Sequence, residues 1–329
     1  MSGPAFAYAR ASSLDDALRR GAQTGAVFLA GGTDFMQLWK AGVQAPTDVI
    51  DISHLSLDEV GLVGRGLSLG AVARLSDVAA NSDVRRHHPL VAEAILASAS
   101  GQIRNMATVG GNLLQRTRCS YFRTDGLACN KRLPGSGCGA LYGENRQAAL
   151  FGASKFCVAS HASDLAVALT ALDAEVEVIG AAGRRRFPVT ELYCLPAETP
   201  ERETNLAPGE LITGIHVPNA SRFAAHSTYL KVRHRASFEF AVVSVAAALR
   251  VENGMISEAR LAAGGVAPLP WRLARSEAAL VGRAPDAVAI TEAGDLAIED
   301  ARPLAHNGFK IELLRNAVIR ALQTIGGRP

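Results

Sequence analysis

Ala26-Val27-Phe28-Leu29-Ala30-Gly31-Gly32-Thr33-Asp34-Phe35-Met36-Gln37-Leu38-Trp39-Lys40 is the stretch that decides the fold. An apolar run of strand length ends in two glycines, and residues 33–41 then read as a helix. A strand, a glycine turn and a helix in that order open an α/β unit. The two glycines let consecutive backbone N–H groups face an anion with no Cβ in the way. Taken alone, such a bend is also an ordinary tight turn. The pattern is not GxGxxG, so a Rossmann dinucleotide site is not supported.

A second bend of the same kind stands at Ala107-Thr108-Val109-Gly110-Gly111-Asn112. Two such loops suggest a diphosphate held between two parts of one domain. Around them, residues 13–20 form a helix with Ser13 and Asp16 as a capping box and Gly21 as its stop. Residues 49–52 read as a strand, 62–69 as a hairpin about Gly64-Arg65-Gly66, and 90–100 as an Ala-rich helix. A helix over 163–172 and a hairpin over 175–187 follow, then Pro-rich loops up to residue 208.

From residue 226 the pattern changes. Long strands over 227–232, 241–251 and 256–261 are predicted, the last two joined at Asn253-Gly254, a two-residue hairpin signal. Helices over 275–281, 287–297 and 309–324 close the chain. This gives two domains, 1–223 and 224–329, an α/β front part and a smaller α+β back part.

The chain has 329 residues, 48% apolar and 20% charged, with a formal net charge of +3. A globular core is expected, and no clustered basic face points to nucleic acid. Arg184, Arg185 and Arg186 read as a solvated hairpin tip, and His87-His88 before Pro89 as an exposed helix start. No apolar run reaches the roughly 20 residues of a membrane helix. No signal peptide is evident at the N-terminus, which implies a cytoplasmic protein unless a signal-bearing partner carries it out.

Five cysteines in a chain without a signal disfavour a disulfide framework. Four of them, Cys119, Cys129, Cys138 and Cys157, lie within 39 residues, spaced Cys-x9-Cys-x8-Cys-x18-Cys. They fall in a Gly-, Arg- and Asn-rich stretch, residues 115–154, with no sustained apolar period. Something other than a hydrophobic core must order so long a loop. Four thiolates suit an iron–sulfur cluster, with N–H groups near Gly135, Gly137 and Gly139 available to its sulfurs. The spacing matches neither zinc fingers nor ferredoxins. Zinc, or four simply buried thiols, remain open on the residues alone. Cys194 reads as a packed thiol.

Residues 29–34 and 107–113 together resemble the FAD-binding subunits of the xanthine dehydrogenase family of molybdenum hydroxylases. His161-Ala-Ser-Asp164-Leu165, Tyr229-Leu-Lys231-Val-Arg233 and Ala263-Gly-Gly-Val-Ala-Pro268 fit the same family, in the same order along the whole chain. The resemblance implies an α+β fold: a two-part FAD-binding domain of the vanillyl-alcohol-oxidase (PCMH) type, then a C-terminal domain like that of the CO dehydrogenase flavoprotein. Arg116-Thr-Arg118-Cys119-Ser-Tyr-Phe-Arg123, with the other three cysteines, is similar to the subgroup with an inserted [4Fe-4S] cluster at about 115–158, of the aldehyde oxidoreductase type.

Carried over by position, residues 28–35 together with Thr108, Gly110, Gly111 and Asn112 would hold FAD. Asp164 would hydrogen-bond it, Ile212 would pack near the isoalloxazine and Lys231 would lie close to the flavin. Cys119, Cys129, Cys138 and Cys157 would hold the cluster. Many relatives have Asp where this chain has Glu239, which is given no role. By the same resemblance, the substrate is oxidised on a large molybdenum-cofactor subunit, a small [2Fe-2S] subunit relays electrons, and the heterotrimer delivers them to an external acceptor. No catalytic residue for substrate is expected in this chain. A stand-alone flavin oxidase and a zinc-ordered, non-enzymatic module are the alternatives.

Overall fold

The computed structural model describes residues 3–326, which form three sheets in chain order. The first is parallel: β1 (Ala7–Arg10), β2 (Ala26–Leu29) and β3 (Asp48–Asp51), with β3 in the middle. The second is antiparallel, formed by β4 (Val60–Val63), β5 (Gly66–Gly70), β6 (Glu175–Gly180), β7 (Gly183–Pro188) and β8 (Leu211–Val217), in the order β4-β5-β8-β6-β7. The third contains β9 (Ser227–Val232), β10 (Val243–Glu252), β11 (Met255–Gly264) and the two-residue β12 (Trp271–Arg272), again antiparallel. No described helix is long and apolar enough to cross a membrane.

Several predicted elements lie where the residue chemistry puts them. Helix Leu14–Gly21 starts on Ser13, whose hydroxyl accepts the Asp16 N–H. The Asp16 carboxylate returns the bond one residue further out, to the Ser12 N–H at 3.0 Å. Gly21 is the last helical residue rather than a stop, and its reason is packing: a Cβ there would meet the Phe28 ring at 2.3 Å. The Asn253-Gly254 turn has φ of 53° and 76°, the mirror-image turn that a twisted hairpin favours.

Alternation along β10 decides how the two halves meet. Val243, Val245, Ala247 and Leu249 pack into the core of the C-terminal helices. Ala246 and Ala248 face the opposite way, into the core built on helix Asp164–Ala171 and helix Pro89–Ala97. The sheet is thus buried on both faces, large residues on one side and small ones on the other.

Three expectations need correction. Residues 115–154 are not wholly irregular, since short helices form at Ser120–Arg123 and Gly139–Tyr142. Arg184, Arg185 and Arg186 lie on β7 rather than at its tip, and pair with Glu177 and Glu210. His88 is not exposed. It is 2% accessible, and neither ring nitrogen finds a partner. Burial, with the neighbouring His87 charge, pushes its pKa down to about 4.

That burial makes His88 an acid-sensitive point. Its folded pKa lies below the unfolded value near 6.5, so native stability is intact above pH 6.5 and lost as pH falls towards 4. The loss should approach about 3 kcal/mol. His88→Leu should remove it, seen as a flatter urea-midpoint profile between pH 6.5 and 4; a profile parallel to wild type would rule this out.

Candidate functional site

The first glycine loop leaves the end of β2 and enters helix Phe35–Lys40. Gly32 has φ of 68°, a left-handed conformation. Gly31 is required for a different reason: a Cβ there would lie 2.0 Å from the Met106 carbonyl oxygen. Bare backbone at Gly31 lets the first loop touch the strand of chain entering the second. The N–H groups of Gly31, Gly32, Thr33 and Asp34 find no acceptor among the described residues. Successive uncommitted amides around a left-handed residue form an anion-binding nest. The nest opens on a cleft of about 990 Å³, counting space open to solvent, lined by residues 27–35, Thr108, Gly110, Gly111 and Ile212.

The second loop differs from expectation. Its amides are already committed: Val109 N–H to Ala73 O at 2.9 Å, Gly110 N–H to Ala71 O at 2.8 Å, and Gly111 N–H to the Thr108 hydroxyl at 3.3 Å. Thr108 caps the short helix Val109–Leu113 in this way. The second diglycine therefore contributes shape to the cleft rather than an array of free donors. Ile212 is delivered by β8, where an irregularity opposite Glu177 and Val178 breaks the pairing and re-aims side chains.

Asn112, Asp164 and Lys231 do not line that cleft. Asn112 accepts the Ser163 hydroxyl at 2.6 Å, and Ser163, not Asp164, caps its helix. Asp164 is buried, with Lys231 Nζ at 2.7 Å and the Tyr229 hydroxyl at 2.8 Å. Burial raises the Asp164 pKa, opposed chiefly by Lys231. The Tyr229 oxygen also accepts the Ser244 hydroxyl, at 2.9 Å. Sequence reasoning did not single out Tyr229 itself; its place two residues before Lys231 on β9 was the available signal. Lys231 is a buried ion-pair partner rather than a solvated strand residue.

The four clustered cysteines come together. Cys129 and Cys138 pair across an isolated bridge. Cys119 packs against the apolar groups around both of them. Burial raises the Cys119 thiol, with the nearby Cys129 and Cys138 adding to it. Burial pushes Cys157 up to about 11, with Cys138 and Cys119 adding and Lys131 opposing. No three His, Cys, Asp or Glu side chains among the described residues are arranged to hold a single metal ion.

The donors expected at Gly137 and Gly139 are unavailable. Gly137 N–H goes to Asn130 Oδ1 at 2.8 Å and Gly139 N–H to Ala128 O at 2.9 Å. Phe122 N–H goes to the Cys119 carbonyl oxygen at 3.1 Å, and the amides of Phe122 and Tyr121 by Cys119 and of Ala159 by Cys157 offset part of the rise in those two thiols. Cys194 is half-buried, its thiol donating to Asn205 Oδ1 at 3.0 Å.

Charged side chains stitch this loop to its surroundings. Asp34 Oδ1 takes Arg118 at 2.8 Å and Arg123 at 2.7 Å, and Asp34 Oδ2 takes the Arg116 N–H at 2.9 Å. Glu203 pairs with Arg116 and, at 3.1 Å, with Lys131. The density of arginines beside Cys119 is the signal in the sequence for half-buried carboxylate partners.

Comparison with known proteins matches residues 4–220 to the FAD binding domain in molybdopterin dehydrogenase and residues 228–325 to the CO dehydrogenase flavoprotein C-terminal domain. The chain is 43% identical, over 97% of both chains, to the aldehyde oxidoreductase FAD-binding subunit PaoB of Escherichia coli. It is 30% identical to the glyceraldehyde dehydrogenase medium chain of Sulfolobus acidocaldarius, over 86% of this chain and 83% of that one. Its fold matches that in the structure of reconstituted CO dehydrogenase from Oligotropha carboxidovorans with a TM-score of 0.78 and 21% identity, covering all of both chains.

Proposed function

The chain belongs to the FAD-binding medium subunits of the molybdenum hydroxylases, and from that premise we propose that it is the FAD- and [4Fe-4S]-carrying electron-transfer subunit of an aldehyde-oxidising enzyme. The observation that carries the flavin half is the run of four uncommitted amides at Gly31, Gly32, Thr33 and Asp34 beside a cleft that Gly31 keeps closed against Met106. Thr108, Gly110 and Gly111 shape the facing wall and Ile212 offers it an apolar surface.

Asp164 and Lys231 lie beyond the second loop as a buried, nearly neutral pair. Lys231 Nζ gives one proton to Asp164 and one to Ala97 O at 3.1 Å; its third would serve a flavin that reaches past the wall of the cleft. Asp164 keeps lone pairs for a flavin hydrogen bond, and Asn112 holds Ser163 at the start of the same helix.

The cluster half rests on the gathering of the four cysteines in one loop. Cys119, Cys129, Cys138 and Cys157 are its ligands; burial raises the bare Cys119 and Cys157 thiols, and coordination would supply the charge that favours thiolate. When bound, the two groups supply single-electron relay and the conversion of single electrons into pairs. The protein's own part is to bind, orient and screen them. A large molybdenum-cofactor subunit and a small [2Fe-2S] subunit complete a heterotrimer, with an external electron acceptor at its end. The 43% identity to the subunit PaoB supports the aldehyde reading.

The test is anaerobic co-purification of the complex with counting of iron and flavin. We expect about one FAD per copy of this chain and about four irons beyond those of the small subunit. A preparation with flavin but no extra iron would remove the cluster from this reading; one with neither would end it.

A further inference from the structure

Asp34 occupies the N-cap of helix Phe35–Lys40 yet makes no capping bond with its side chain. An aspartate there ordinarily accepts an N–H of its own helix. Here both carboxylate oxygens turn to a segment 82–89 positions away, receiving the Arg116 N–H and the guanidinium groups of Arg118 and Arg123. All three donors come from residues 116–123, the segment that carries Cys119. The arginine partners are themselves held, since Arg118 stacks over Phe240 at 4.4 Å and Arg123 donates to Thr117 O at 2.8 Å and Arg116 O at 3.1 Å. The Asp34 side chain is only 14% accessible, so these charge-assisted bonds are poorly screened. The residue's own N–H, by contrast, belongs to the anion nest. One residue thus faces the flavin cleft with its amide and the cysteine loop with its carboxylate.

We propose that Asp34 is a positioning residue that couples the two cofactor sites: it holds the Cys119 segment against the glycine loop, so that filling either site tightens the other. This rests on the reading of the chain as a carrier of both FAD and a cluster. A ligand that orders residues 116–123 fixes Arg118 and Arg123, these fix Asp34, and Asp34 sets the backbone of the nest. Coupling of this kind is reciprocal in binding free energy.

The test uses the purified complex, with FAD affinity measured by flavin fluorescence before and after iron is removed by oxidation and chelation. In wild type, iron removal should weaken FAD binding by about tenfold, within the range usual for coupled sites. In Asp34→Asn, which keeps the volume and loses the charge, the ratio of the two affinities should fall to about two or less, and Asp34→Glu should restore part of it. A purely structural role would lower both affinities and leave their ratio at the wild-type value; that result, or a wild-type ratio near one, overturns the proposal. Should Asp34→Asn fail to fold, Arg123→Gln gives the same comparison from the other side. Wild type that contains no extra iron at the outset fails the cluster reading and the coupling with it, whereas iron present with an unchanged ratio fails the coupling alone.

Discussion

Gly31→Val is expected to empty the protein of flavin, lowering bound FAD per polypeptide by about tenfold or more, a loss of at least 1.4 kcal/mol of affinity. The added Cβ would sit 2.0 Å from the Met106 carbonyl oxygen, 2.8 Å from its carbon and 3.0 Å from Ala107 Cα. These are backbone atoms and cannot swing aside as the end of a side chain could. The two loops must part, and with them the nest and the wall opposite. Gly111→Val provides the contrast. A Cβ there meets only the Thr108 hydroxyl, at 2.9 Å, so a smaller loss is expected. The absorbance ratio at flavin and protein wavelengths reads both. Wild-type flavin content in Gly31→Val would show that the cofactor is not bound where these loops meet.

Lys231→Met should produce the largest loss of stability. The ammonium and the Asp164 carboxylate are 3% and 5% accessible. Removing the cation leaves a buried charge without its partner, at a cost of about 3–5 kcal/mol, which corresponds to a fall of about 4–7 °C in Tm for a chain of this length. Burial already raises the Asp164 pKa against the pull of Lys231, so the variant will take up a proton there. A carboxyl with a raised folded pKa contributes its stability at low pH and loses it as pH rises. The deficit of the variant should accordingly deepen towards alkaline pH. Calorimetry of Lys231→Met beside Lys231→Met/Asp164→Leu decides the matter: the double variant should recover most of the loss, and equal Tm values for the two would show that the isolated carboxylate is not its cause.

Much of the fold was legible because short-range chemistry dictates it. Ser13 caps its helix, Asn253-Gly254 can adopt the turn that β10 and β11 need, and the alternation of those strands survives into the structure. Strand β8 was not foreseen. Its Thr213 and Gly214 interrupt the apolar run at the irregularity, and its partners β5 and β6 come from distant parts of the sequence. The strand β1 likewise gains its identity only by pairing with β3.

At the site, the glycines and cysteines could be read directly, because each needs a property no other residue supplies. Which amides stay free could not. Gly110 and Gly32 look alike in sequence, but the acceptor for Gly110 is the Ala71 carbonyl, 39 positions earlier and brought there by the fold of the second sheet's approach. His88 was misread for the same reason: two adjacent histidines carry no sign of which one the core will enclose.

The strand β10 has a last consequence. Because Ala246 and Ala248 complete one core while Val245, Ala247 and Leu249 complete the other, neither half can melt without uncovering the other. Excising the C-terminal residues would leave an oily scar on the flavin domain, and hinged motion between the halves would tear the same seam. The chain should therefore denature in a single cooperative step and act as a stiff bracket around its flavin cleft.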